Sequence, residues 1–146
     1  MSTQSYEHIL LATDLSENSR WIGERAVKIA ESFDARLSLA HVVERLPVDY
    51  VAEGVPIEVP DMSDMLEAEA ERNLSDLAKE LGVADAECIV QLGSARVDIP
   101  QIAREKGVDL IIVGARERHG LSLLLPNTTD GVVHQAPCVV LTIHVD

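Results

Sequence analysis

Aromatic side chains are nearly absent from this chain: one Trp, one Phe and two Tyr make up 3% of its 146 residues. The core must therefore be aliphatic, and a hydrophobic share of 47% argues against disorder. Basic residues are scarce as well, twelve against twenty-five acidic, for a formal charge of −13. A field of that sign repels nucleic acid and anionic membrane, so neither is an expected partner. Only two cysteines are present, Cys88 and Cys138. Each stands in an apolar, strand-like run without a CxxC neighbour, which reads as a pair of buried, reduced thiols rather than a disulfide or a metal site. No apolar run approaches the roughly 18 residues of a membrane span. The stretch Met1 to Tyr6 is polar and lacks the core of a signal peptide, so the cytoplasm is the expected compartment. The length suits one domain over 1–146, with no linker, repeat or low-complexity segment.

What is present is an alternation of short apolar runs with helical stripes. His8-Ile9-Leu10-Leu11-Ala12 reads as a first strand, ended by Thr13-Asp14. Ser16 to Ser19 supply helix caps, and Ile22, Ala26, Ile29, Ala30 and Phe33 form one apolar helix face. Leu37 to Val43 is a second strand. From Glu44 to Pro60, Pro47, Gly54, Pro56 and Pro60 exclude a long regular element, and a loop of this length signals a cover for a site or a partner. Ser63 is expected to cap a second helix whose buried stripe is Leu66, Ala70, Leu74, Leu77, Ala78 and Leu81, with Gly82 just past its end. Ala86 to Val90 is a third strand near an edge. A third helix carries Ile99, Ile102 and Ala103; a start near Asp98 would put Pro100 in the first turn, where proline is tolerated. Gly107 ends it. Leu110 to Val113, four apolar residues in a row, fits a central parallel strand. Asn127 or Thr128 caps a last helix over 129–134, and Cys138 to Ile143 is the fifth strand.

This β-α-β-α-β-α-β-α-β order predicts an α/β, Rossmann-like fold: an open five-stranded parallel sheet with right-handed crossovers and helices on both faces. In such sheets ligands bind beyond the strand C-termini at the switch point between oppositely directed crossovers. Asp14, the turn after His41-Val42 and the loop Gly114 to Gly120 should share that rim. The loop has the outline of a phosphate site: apolar strand, glycine, polar loop, capped helix. Its contents oppose one. Glu117 places a negative charge where phosphate would lie, and Pro126 lacks a backbone N–H donor. Arg116, Arg118 and His119 offset Glu117 in part.

Enzyme-like constellations are thin. His8, His41, His119, His134 and His144 show no metal-ligand spacing and read as structural or surface residues. Ser122 is not in a nucleophile elbow, and no Walker lysine follows the glycine loop. The expectation is no catalytic residue, no metal and no enzyme activity, a weak ATPase being the alternative.

Taken in order, His8 to Ser16, Leu37 to Val42, Gly107 to Gly114, His119-Gly120-Leu121 with its following leucines, and Ala136 to Leu141 resemble a universal stress protein in its small single-domain form. That resemblance covers nearly the whole chain. It implies a strand order of 3-2-1-4-5 and a homodimer made by antiparallel pairing of the last strands, here Val139, Val140, Leu141, Thr142 and Ile143. ATP-binding members carry Gly-x-x-Gly and, about nine residues on, a further Gly-Ser or Gly-Thr. Carried over, these positions are Gly114, Glu117, Pro126 and Asn127, so three of the four have changed. The resemblance also puts Thr13, Asp14, Val42, Arg116 and Thr128 at the nucleotide-binding positions. The resulting expectation is a cytoplasmic stress-response homodimer that holds no cofactor and acts through contacts with a protein partner. The alternative is a member that binds ATP or AMP.

Overall fold

The computed structural model describes residues 5–44, 51–52, 55–56, 62–116 and 128–145. Its elements are β1 (His8–Ala12), α1 (Ser19–Phe33), β2 (Arg36–Glu44), β3 (Val51–Ala52), β4 (Val55–Pro56), α2 (Ser63–Glu80), β5 (Glu87–Gly93), α3 (Ala95–Lys106), β6 (Leu110–Arg116), α4 (Thr128–Gln135) and β7 (Val139–Val145). Five of the strands form one sheet in the order β5-β2-β1-β6-β7, with every neighbouring pair parallel. Numbered among the five principal strands, this is 3-2-1-4-5. The stretch from Glu44 to Pro60 contains no long element among its described residues; β3 and β4 form a two-residue antiparallel pair.

The apolar runs at the sheet centre are buried on both faces, as parallel strands require. Ile9, Leu11, Leu39 and Ile112 face one core with Ala26 and Ala30 of α1 and Leu74, Leu77 and Ala78 of α2. Leu10, Ala40, Val42, Ile111 and Val113 face the other, with Ile99, Ile102 and Ala103 of α3 and Val132 of α4. Alternation along each strand thus feeds two aliphatic cores, which is how a chain with so few aromatics fills its interior.

Several local expectations are corrected. α3 begins at Ala95, not near Asp98, and Pro100 lies inside it. Ser94 is extended, and its carbonyl accepts from the amides of Val97 and Asp98. The buried pyrrolidine ring, under 2% exposed, offsets the hydrogen bond that proline cannot donate. Ser63 is the first helical residue rather than the cap, which is Met62. Leu66 is exposed, because the first turns of α2 run beyond the core that begins at Ala70. Phe33 is also exposed, at the last turn of α1, where its ring meets Tyr6 edge-on at 4.9 Å. Cys88 is not buried: it lies exposed on β5, an outer strand of the sheet, while Cys138 is half-buried and both are free thiols. Partial desolvation by neighbouring groups pushes both thiols up from the ordinary cysteine value, with Asp109 adding to the effect at Cys138.

Helix α2 ends as expected, with Gly82 in the left-handed region at φ 75°. The amide of Gly82 donates to the carbonyl of Lys79 and that of Val83 to Ala78, closing the last turn. A Cβ at Gly82 would meet nothing within 4 Å, so a side chain there costs only backbone strain. Gly82→Ala should therefore destabilise the protein by about 1–2 kcal/mol, and Gly82→Asn by less, in denaturant unfolding.

Candidate functional site

Strands β1, β2 and β6 end side by side, and their C-terminal ends open into a cleft of about 440 Å³. Its walls come from Thr13 and Asp14 after β1, His41 to Glu44 at the end of β2, Val113 to Ala115 in β6, and Thr128 and Thr129 at the start of α4. Ile22, Ile99 and Val132 supply apolar surface from three helices. This is the switch point: the crossover through α1 leads from β1 to β2 on one side, and the crossover through α3 carries the chain back to β6 on the other.

Hydrogen bonds hold the turn after β1. The Thr13 amide donates to the Ala40 carbonyl, tying the turn to β2. The Thr13 hydroxyl donates to Oγ of Ser19 at 3.0 Å and accepts from the Leu15 amide at 3.1 Å. Oδ1 of Asp14 accepts from the Ser16 amide at 2.9 Å, so this carboxylate shapes the entry to α1. Nδ1–H of His41 donates to the Thr13 carbonyl at 2.8 Å.

The start of α3 meets the same cleft through Ala95. Its exposed amides would ordinarily attract an anion. Here the chain supplies its own: Oε1 of Glu44 accepts from the Ala95 amide at 3.2 Å, and Oδ2 of Asp98 accepts from the Ser94 amide at 3.1 Å. Asp14 and Glu44 are the charged side chains in the described lining, which includes no Lys or Arg.

Gly114 is closely packed. A Cβ there would collide with Cδ1 of Ile22, which lies against the end of β6. The Gly114 carbonyl accepts from Oγ1 of Thr129 at 3.2 Å, joining β6 to α4. The glycine read from sequence as the first of a phosphate cradle thus lies against Ile22 of α1 and is bonded to α4.

Of the expected site residues, Thr13, Asp14, Val42, Gly114 and Thr128 are brought together around the cleft. The backbone of Arg116 ends β6. Glu117, Pro126 and Asn127 lie outside the described residues. The sequence reading missed the bonds of Glu44 to Ala95 and of Asp98 to Ser94 at the start of α3, Thr129 beside Gly114, and the tie between His41 and Thr13. Ser94 is a recognisable helix-start residue, but Asp98 stands four residues on rather than the three of a capping box, so the bond between them was not announced. The remaining contacts join elements far apart in sequence. Among the described residues, no group of three or more His, Cys, Asp or Glu could hold a metal.

Comparison with known proteins adds an independent observation. A model of the universal stress protein family matches residues 5–144. The chain is 40% identical over 142 residues to universal stress protein A homolog 2 of Coxiella burnetii, covering 97% of each. It is 34% identical over 139 residues to homolog 1 of the same organism, covering 94% of this chain and 96% of that one. Among solved structures it is similar to the universal stress protein UspA from Lactobacillus plantarum, at TM-score 0.67 and 25% identity over 97% of this chain and 99% of that one. It also shares its fold with a universal stress protein in complex with cAMP, at TM-score 0.65 and 22% identity over 97% and 98%.

Removing the carboxylates at the start of α3 tests their structural role. Asp98→Ala, which strands the half-buried Ser94 amide, should lower unfolding free energy by about 1 kcal/mol, and Glu44→Ala, whose amide partner is exposed, by less. Denaturant titration of both variants checks the order.

Proposed function

The chain belongs to the universal stress protein family, and we propose that it acts within that family as a stress-response homodimer working through protein contacts, without holding ATP. The observation that carries the ATP half of this reading is the charge of the cleft. Its described lining offers Asp14 and Glu44 and no Lys or Arg, and the helix start that opens onto it is already occupied by the chain's own carboxylates. The sequence of the neighbouring loop points the same way, with Glu117 and Pro126 at cradle positions. At roughly 4 Å, two like charges near a protein surface repel by about 4 kcal/mol, about half of the free energy of a micromolar affinity. The reading includes no enzyme activity and a cytoplasmic setting.

The dimer half rests on β7. Among the described residues this strand pairs only with β6, leaving its outer edge open. Val139 and Leu141 are exposed there, 53% and 38%, while Val140 and Ile143 pack partly against the two cores. An open apolar edge invites a second strand, and antiparallel pairing about a two-fold axis satisfies both copies at once.

A second reading keeps a nucleotide, ATP or AMP, in the cleft. The position of Asp14 beside the end of β2 and the apolar surface from Val42, Val113 and Ile99 favour it.

Calorimetry with Mg-ATP separates the two. The expected result is no binding tighter than about 100 μM, equivalent to about −5.5 kcal/mol; tighter binding sinks the first reading. The triple variant Glu117→Gly, Pro126→Gly, Asn127→Ser should gain ATP affinity, and no gain would show that the cradle is not the limiting defect. Leu141→Asp should convert the dimer to monomer in sedimentation while leaving the fold intact, because that side chain lies outside both cores. A dimer unchanged by this variant places the interface elsewhere.

A further inference from the structure

The imidazole of His8 is buried, 5% exposed, at the start of β1, the opposite end of the sheet from the cleft. Its Nε2 lies 2.7 Å from Oγ of the buried Ser38. Its Nδ1 has two neighbours with opposite demands: Nη2 of Arg36 at 2.9 Å and the carbonyl oxygen of Lys106 at 3.3 Å. A guanidinium nitrogen only donates and a carbonyl oxygen only accepts. One ring nitrogen cannot serve both.

In the neutral ring, Nδ1 carries the lone pair and accepts from Arg36, so Nε2–H donates to Ser38. A proton added at Nδ1 removes that lone pair and sets an N–H against the guanidinium. The Lys106 carbonyl is then the acceptor within reach. It belongs to the last residue of α3, where the helix dipole favours a cation. We propose that His8 is an acid-operated switch, in which protonation transfers Nδ1 from Arg36 to the Lys106 carbonyl and releases Arg36 from the pole of the sheet.

The surrounding charges set the working range. Burial, and after it the Arg36 guanidinium, hold His8 below the ordinary imidazole value of 6.5. The Lys106 carbonyl, Glu87 at the start of β5 and Asp109 before β6 act in the opposite direction without overcoming them. Glu87 is also paired with Nζ of Lys106 at 3.2 Å. The Asp109 carboxylate accepts from the backbone amides of Glu7 and His8, which fixes the strand start on which the imidazole is mounted. Arg36 is exposed and borders a cavity of about 740 Å³, which Glu31 of α1, Asp34 just after it and Asp85 also line, so the guanidinium has room to leave. Because the folded value is depressed, the neutral ring's stabilisation is complete above 6.5 and declines as pH falls from there toward the folded value. For one proton the decline is at most about tenfold in the folding equilibrium per pH unit.

Nitrogen-15 NMR of the full-length protein tests the switch. At pH 7.5 His8 should be the Nε2–H tautomer. On acidification its titration should coincide with a change in the Arg36 side-chain signals. An Nδ1–H tautomer at pH 7.5, or a titration that leaves Arg36 unmoved, overturns the proposal. Arg36→Met should move the His8 midpoint upward; an unchanged midpoint would mean that Arg36 does not govern the proton. His8→Gln should flatten the loss of stability as pH falls below 6.5, and an unchanged slope counts against the switch.

Discussion

The structure depends on burying both faces of its three central strands. Ile9, Leu10 and Leu11 are consecutive and all fully buried, and Leu39-Ala40 and Ile111-Ile112 flank them in register. Residues on one strand alternate between the two faces, so such a run is stable only with helices on both. α1 and α2 cover one face, and α3 and α4 the other. Parallel pairing then demands crossovers, and the oppositely directed crossovers to β2 through α1 and to β6 through α3 create the cleft at the end of β1. The site is therefore a consequence of the way the core is closed.

That geometry leaves the two ends of the sheet with different tasks. At the C-terminal ends, three strands and the starts of two helices converge, and the polar groups there are largely satisfied internally: Glu44 and Asp98 on the α3 amides, Asp14 on the turn into α1, and Thr129 on the Gly114 carbonyl. At the N-terminal pole, His8, Ser38, Arg36 and Asp109 tie together the starts of β1, β2 and β6. The lateral edges are less finished. β5 exposes Cys88 and β7 exposes Val139 and Leu141.

Most of the architecture was legible in the chain. Continuous runs such as Leu110 to Val113 marked buried parallel strands, and the stripe from Ala70 to Ala78 marked the inner face of α2. Failures cluster where local rules lost to packing. Pro100 argued for a late start to α3, but its ring is worth more in the core than the hydrogen bond it lacks. Phe33 and Leu66 fit their helical stripes and are nevertheless exposed, because a stripe shows which side faces inward and not where along the helix the core ends. Cys88 seemed buried within an apolar run, yet an outer strand has neighbours on one side only. At the site, Thr13, Asp14, Val42 and Gly114 were found from the strand ends and the family pattern. Glu44 on Ala95 joins residues 51 positions apart, and no local pattern announces it.

The sequence alone determined the class of fold, the order of its elements, the aliphatic character of the core and the rim on which a site would form. These follow from periodicity, chain punctuation and composition, which are local properties. Tertiary structure decided which partner each polar group takes: the carboxylates on the α3 amides, Ile22 against Gly114, and the rival donor and acceptor at Nδ1 of His8. Hydrogen bonds act over about 3 Å in space without regard to separation along the chain. A side chain's chemistry is therefore written in the sequence, but its partner is fixed only when folding brings distant strands and helix ends together.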